Sequence, residues 1–559
     1  MKNKIITNTI IFIFIIAFVN IFQSLFGAGN SLVGVTIITT GLTLMERDLT
    51  IAPLKNFFKI LGINLFSLVF SVLAIQNVWL GIIFNFIALF TIGYFFSGNL
   101  KKSIVVPFGL QYFFMLFYPA EGEVLFNRFI ALIFGSIFIM LIQFVVNKDK
   151  LFKTGTKLID KISNSILEKI KLIQDNKSFE KENIEILESI NYLKRVIYDK
   201  RVDDYYLTSD GIIITDIIWV LERINMLLDG INIEKNKSNY KDLLNDIYNE
   251  VKNIKDRNLE LKDIENIKLY LNREDLNKDY INETIDLINI LYREVENISV
   301  LSEKEKKSIK KEYHIPYHFH NIAIHKRNFN IDSAKVRYAI RLGVIGAFTA
   351  FIAKFFNLSE GRWMCFTIFS LIQPYVEVSN ERVKDRVIGT FIGGVIVLIA
   401  FGAIHNQTAR AAIILLAGYL DPFSKNYKQK MVCVTVSAVA SAAIIGGTVE
   451  LVFERIIFVI IGATLTLFAN KYIFPYKIKD MKQYLSEVYN SLISQMKEDI
   501  KEKHNDYSIR NLYLITGFIE EKMKLPLSID KDNREINRFL KENKFEVSNI
   551  YKSFVTIKN

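Results

Sequence analysis

Two long apolar blocks, residues 5–147 and 336–474, decide what this chain can fold into, because each carries repeated apolar runs near the ~20 residues that cross a bilayer as a helix. Up to residue 147 the charged side chains are eight basic ones (Lys2, Lys4, Arg47, Lys55, Lys59, Lys101, Lys102 and Arg128) and four acidic ones. Residues 148–332 and 475–559 are the opposite, dense in Lys, Glu, Asp and Asn. The order predicts an all-α integral membrane protein in four parts: a first membrane domain (1–147), a cytoplasmic helical domain (148–332), a second membrane domain (333–474) and a C-terminal cytoplasmic helical region (475–559). Lys2 and Lys4 before Ile5–Val19 imitate a secretory signal, but the apolar stretch continues to Phe26 without a small-residue cleavage site, so it reads as a retained first helix.

Breaks within the blocks place six helices near 5–27, 29–46, 52–73, 75–97, 103–119 and 123–147, and six more near 336–356, 361–378, 386–404, 409–422, 431–448 and 451–474. With the N-terminus inside, the basic residues of the first block fall on the cytoplasmic side except Arg128, which is the positive-inside pattern. In the second block Lys335, Arg337, Arg341, Arg382, Lys384, Arg386, Lys425, Lys428, Lys430 and Lys471 fall inside, against Lys354, Arg362, Arg410 and Arg455 outside. Both termini are then cytoplasmic. A shift of 327 residues pairs Glu123, Phe126, Arg128 and Gly135 with Glu450, Phe453, Arg455 and Gly462, and Lys55, Lys59 and Gly62 with Arg382, Arg386 and Gly389. One offset serving several helices, with each half starting inside, predicts two parallel six-helix membrane repeats.

Several functions fall away. Cys365 and Cys433 lie in apolar runs, so neither a disulfide framework nor a cysteine zinc site is available. No phosphate loop, nucleophile elbow or His-Glu-x-x-His pair occurs. The chain is not expected to be an enzyme and calls for no cofactor. His314, His318, His320 and His325 cluster before the second block; Pro316 and the lack of cysteine favour a strap over a metal site. The soluble stretches carry helical periodicity, with Leu158, Ile162, Ile166 and Ile170 four apart and Ile184, Leu187 and Ile190 at helical spacing. Ile212–Trp219 reads as a buried helix, since Asp210, Asp216 and Arg223 interrupt it. Interspersed Lys and Glu suit exposed helix faces, so the +12 formal charge does not point to nucleic acid.

The most informative segment is 361–394. It opens with Arg362 and Trp363 at the outer interface, ends a span at Gln373 and Pro374, turns through a basic loop holding Arg382 and Arg386, and re-enters by a helix with Gly389, Gly393 and Gly394. Proline frees backbone carbonyls, which a membrane protein tolerates only against protein or a wet cavity. The glycines let a neighbouring helix approach closely, and Cys433, Ser437 and Ser441 mark a second close contact. The span around 411–420 is short, with Gly418 near its end, a feature that can mark a binding site. Glu123, Glu377 and Glu450 lie near helix ends, so no proton relay is evident.

Trp363, Thr367, Gln373-Pro374, Arg382, Arg386 and Gly389-Thr390, preceded by the 328–341 stretch that ends in Arg337 and Arg341, resemble the fusaric acid resistance and aromatic acid exporter group of bacterial inner-membrane proteins. The resemblance implies two six-helix membrane halves around cytoplasmic helical regions, efflux of small organic anions such as aromatic carboxylates, and a distant likeness to plant malate channels. Under the 327 shift the first half has Thr36 for Trp363, Arg47 for Pro374, and Ile10 and Phe14 for Arg337 and Arg341, so it has lost most of the pattern.

The expected partners are the lipid bilayer and a small organic anion, with a homo-oligomer and, where a second membrane exists, a periplasmic adaptor as further ones. The substrate-pathway candidates are Arg337, Arg341, Arg362, Trp363, Gln373, Pro374, Arg382 and Arg386. Arginine offers paired donors that fit a carboxylate, but a cytoplasmic basic rim equally satisfies topology and attracts anionic lipid. A passive anion channel, or a membrane scaffold whose cytoplasmic helices recruit a partner, are the alternatives.

Overall fold

The computed structural model describes residues 2–45, 49–50, 53–97, 104–147, 150–203, 205–234, 236–257, 264–306, 308–309, 315–316, 331–443, 447–501, 506–524 and 534–558. The four clustered histidines, Arg47, Lys101, Lys102 and residues 328–330 lie outside these. Among the described residues the structure is helical, with one isolated antiparallel bridge between Val202 and Tyr206.

In chain order the helices are α1 (Lys2–Phe26), α2 (Ser31–Leu44), α3 (Pro53–Gln76), α4 (Val78–Phe96), α5 (Val105–Phe117) and α6 (Gly122–Asn147), then α7 (Lys150–Gln174), α8 (Glu180–Asp199), α9 (Ser209–Ile233), α10 (Lys241–Lys255), α11 (Ile264–Leu269), α12 (Lys278–Val300) and α13 (Glu303–Lys306). The second membrane stretch follows with α14 (Ala334–Phe355), α15 (Arg362–Leu371), α16 (Val376–Ala403), α17 (Gln407–Leu420), α18 (Tyr427–Ala442) and α19 (Thr448–Tyr472). The chain closes with α20 (Ile478–Lys501), α21 (Asp506–Lys524) and α22 (Arg534–Lys558). They form two compact units, one of Met1–Val146 with Asn328–Met481 and one of Asn147–Arg327 with Lys482–Asn559.

Among the described residues of the first unit, seven helices are long and apolar enough to cross a membrane: α1 from Ile5, α3, α4, α6, α14, α16 and α19. The chain is therefore a multi-pass membrane protein. Each block carries the six helices expected of it, and five of the twelve, α2, α5, α15, α17 and α18, are only 10 to 16 residues long. The span expected over 361–378 ends at Leu371, since Pro374 disfavours helical backbone at the residue before it and lacks an N–H. The loop expected over 379–385 is helical: Val376–Arg386 contains neither Gly nor Pro, and Glu377, near its start, suits a helix N-terminus.

In the second unit the amphipathic faces sort as periodicity requires, with one shift of register. Ile184 is exposed and Leu187 half-buried, while Ile186, Ile190, Leu193 and Ile197 form the buried stripe of α8. Ile214, Ile217, Ile218 and Trp219 of α9 are buried as expected. Asp216 accepts two hydrogen bonds from Arg510 of α21, at 3.1 and 2.7 Å, and one from Tyr551 of α22. A buried charge is tolerable there because it is paired and fully hydrogen-bonded.

Candidate functional site

The site is built around α15, the shortest helix of the membrane unit. Its ten residues rise only about 15 Å, half of a ~30 Å hydrocarbon core. Met364, Cys365, Phe366, Thr367, Ile368, Phe369 and Leu371 are all buried. Gly109 of α5 makes room for the Phe369 ring, which a Cβ there would overlap. Phe366 and Phe369 meet Phe113 edge-on at 6.0 and 5.6 Å between centroids. A short helix held this deeply leaves both of its ends inside protein, and both ends need polar partners.

At the C-terminal end those partners are side chains. Pro374 stops the helix, and the freed carbonyls are taken up one by one. Ser379 Oγ donates to the Leu371 carbonyl at 2.7 Å, and Gln373 Nε2 donates to the carbonyls of Ile372 and Ser370 at 2.8 and 3.3 Å. Arg341, with no exposed surface, donates from Nη2 to the carbonyls of Gln373 and Pro374 at 2.8 and 3.0 Å. Its Nε and Nη1 have no partner among the described residues. The guanidinium of Arg382 lies 5.1 Å from the Tyr427 ring, and the Tyr427 hydroxyl is 3.3 Å from Ser370 Oγ.

At the N-terminal end of α15 the arrangement reverses, with cations in excess. Arg362 Nη1 donates to the Tyr118 hydroxyl at 2.7 Å and Nη2 to Glu360, which also accepts from Trp363 Nε1. Over the same Trp363 ring, at 3.9 Å, sits the guanidinium of Arg455 from α19. Arg455 is 1% exposed, and none of its three guanidinium nitrogens finds a hydrogen-bond partner among the described residues. The charges that act on it are Arg386, Glu360 and Arg362. Arg386 is also buried; it reaches the Met431 sulfur, and its Nε is unpartnered, as are the buried hydroxyls of Thr367, Thr390 and Thr435.

Glycines set the close contacts that hold these helices together. A Cβ on Gly389 would lie 2.7 Å from Met431 Cβ, and one on Gly393 2.7 Å from Thr435 Cβ, so α16 and α18 meet nearly backbone to backbone there. Gly394 faces Val452 and Gly462 faces Thr367, which seats α19 against α16 and α15. The stripe Cys433, Ser437 and Ser441 is not the contact face of α18. Ser441 is exposed, Cys433 and Ser437 are half-buried, and both hydroxyls bond carbonyls of their own helix.

Of the residues singled out from sequence, Arg341, Gln373, Pro374 and Arg382 gather at the C-terminal end of α15, and Arg362 and Trp363 at its N-terminal end. Arg337 stays apart, bonded to the carbonyls of Ile331 and Pro475 and paired with Asp332 at 3.0 Å. Burial adds to the sequence reading of three of the arginines: Arg341, Arg386 and Arg455 are inside the helix bundle, where carbonyls, sulfur and an indole face replace water around them. Sequence reading also missed Glu360, the carboxylate bonded to Arg362 and Trp363; the available signal was an acidic residue two positions before a span that opens Arg-Trp.

Residues 347–469 match the family described as fusaric acid resistance protein-like. An uncharacterized protein of Haemophilus influenzae is 25% identical over 151 residues, which cover 26% of this chain and 21% of that protein. The inner membrane protein YccS of Escherichia coli is 24% identical over 151 residues, 27% of this chain and 21% of its own length. The uncharacterized protein ORF2 of Neisseria gonorrhoeae is 28% identical over 149 residues, 26% of this chain and 36% of that protein. The chain thus spans about a fifth to a third of the length of the relatives it matches. No solved structure matches it.

Proposed function

On the premise that its second membrane half belongs to the fusaric acid resistance protein-like family, we propose that this chain is an inner-membrane transporter exporting small organic anions, aromatic carboxylates among them. The observation that carries the reading is Arg455. A guanidinium buried in a membrane unit with no hydrogen-bond acceptor is unfavourable unless a ligand completes it, and an intramembrane ionisable group is retained for function. A carboxylate fits, since it accepts two parallel N–H bonds from one guanidinium. The Trp363 ring and the Phe366, Phe114 and Phe117 rings around it offer faces and edges to an aromatic substrate.

Arg382 and Arg341 at the inner end, Arg386 and Arg455 along the way and Arg362 at the outer end form a cationic series past a helix only half a bilayer long. The termini are cytoplasmic in this reading, as the basic residues require. The parallel-repeat organisation is part of it, supported by Gly135 against Ile37 and Gly462 against Thr367 and the Met364 carbonyl, contacts one offset of 327 apart.

The test is release of labelled benzoate and other carboxylates from inside-loaded vesicles holding the purified protein, with and without an imposed pH gradient or potential. Selective release that Arg455→Met and Arg382→Ala/Arg386→Ala lose supports export along this series. Folded, oriented protein that releases none of the compounds refutes it and leaves the scaffold reading.

A further inference from the structure

Arg362 and Arg455 meet at the Trp363 ring, 5.7 and 3.9 Å from its centre, and Glu360 is the carboxylate bonded to the same indole. Glu360 precedes α15 and is 7% exposed. Its oxygens are engaged by Arg362 Nη2 and Trp363 Nε1, and Arg362 is braced from behind by the Tyr118 hydroxyl. The indole of Trp363 therefore has its N–H edge on the carboxylate and its face under Arg455. One ring joins the anion of the protein to the cation that lacks one. A site that holds an anion for passage must bind it firmly enough to admit it and weakly enough to release it. Without Glu360, the buried Arg455 and the neighbouring Arg362 would together hold a carboxylate too firmly, and a carboxylate already in place moderates them.

We propose that Glu360 is the resident counter-ion of the site: it holds Arg362 and Trp363 when no substrate is present, and a small substrate carboxylate reaching Arg455 displaces it from them, so that release outward follows when Glu360 returns. The inference rests on the export reading, and it assigns to Glu360 a part in substrate release instead of substrate binding. Its signature is a gain of affinity on removing a negative charge. Glu360→Gln keeps an acceptor for Trp363 Nε1 and loses only the charge.

The experiment measures benzoate efflux from loaded vesicles as a function of benzoate concentration, and benzoate-induced thermal stabilisation of the same proteins in detergent. For Glu360→Gln the half-saturating benzoate concentration is expected to fall about tenfold, the size of one charge interaction of ~1.4 kcal/mol at close range, with a slower maximal efflux. An unchanged or raised half-saturation in folded Glu360→Gln overturns the proposal while wild-type efflux leaves the export reading standing. A wild type that neither releases benzoate nor is stabilised by it ends both. Should Glu360→Gln fail to fold, Arg362→Gln serves: it frees Glu360 to face Arg455 and is expected to weaken benzoate stabilisation several-fold, and undiminished stabilisation overturns the proposal.

Discussion

Arg341 and Arg455 are both buried arginines of the same membrane unit, yet their surroundings predict opposite behaviour on removal. Arg341 serves the two carbonyls left open at the Pro374 break, so Arg341→Ala leaves buried acceptors without a charged donor and should cost about 2–3 kcal/mol, with Arg341→Lys recovering part. Arg455 has no such bond to lose. Arg455→Met keeps much of the volume, relieves a desolvated charge, and should leave stability unchanged or raise it by about 1 kcal/mol or more while abolishing efflux. Unfolding of the purified variants in detergent, read beside their transport, checks both; an Arg455→Met that unfolds well before wild type would make Arg455 a structural residue. Sequence alone could not separate these cases. Hydropathy and the positive-inside pattern put Arg337 and Arg341 on one inner rim, one helical turn apart. What sends Arg341 inward and leaves Arg337 at the surface is a pair of carbonyls just past the end of another helix, freed by a proline some thirty residues on, and that pairing exists only in the folded chain.

Helices were legible where apolar runs are long, as in α3, α6 and α19, because a bilayer leaves the backbone no alternative to internal hydrogen bonds. They were less legible where polar sequence continues a helix, as at the start of α16, or where a helix stops half-way through the apolar layer, as α15 does at Leu371. In the soluble unit, burial alone could not show which charges tie elements together. Glu222 of α9 receives Lys194 Nζ of α8 at 2.8 Å, pairs with Lys544 Nζ of α22 at 2.6 Å, and accepts from the Tyr513 hydroxyl of α21. Burial pushes this carboxyl up, but Lys194 and Lys544 together outweigh it and bring it down to about 2. A carboxyl lowered from 4.5 stabilises the fold fully above 4.5 and loses that contribution as pH falls from there toward about 2. Hydrogen exchange in α9, corrected for intrinsic rates, should accelerate across the upper part of that window. Glu222→Gln should flatten the pH dependence and cost about 3–5 kcal/mol at pH 7, since it strands two buried ammonium groups. A variant as protected as wild type at pH 7 would mean the node is not what joins α8, α9 and α22.

The contacts of the soluble unit also constrain how the whole chain threads the membrane. Asp216 pairs with Arg510 at 2.7 Å and Trp219 Nε1 donates to Ser548, so residues 147–327 and 482–559 lie on one side. The chain between them must then cross an even number of times. Among the described residues its long apolar helices are three, α14, α16 and α19, an odd number, so an even count requires a short helix to cross as well. α15 with its extended 372–375 tail is the economical choice: it reverses direction between α14 and α16, and it returns the basic start of α16 to the side on which α14 begins, as the positive-inside tendency demands. The expected outcome follows for single cysteines in a Cys433→Ala background, where Cys365 is fully buried. A membrane-impermeant thiol reagent should label His405→Cys, in the turn between α16 and α17, in intact spheroplasts. Ser238→Cys and Lys541→Cys, exposed in the soluble unit, should label only after lysis. Protection of His405→Cys until lysis would make α15 a re-entrant segment and reverse α16, and Arg382 and Arg386 would then enter the membrane from the outer face, where an exporter drawing anions from the cytoplasm has no use for them.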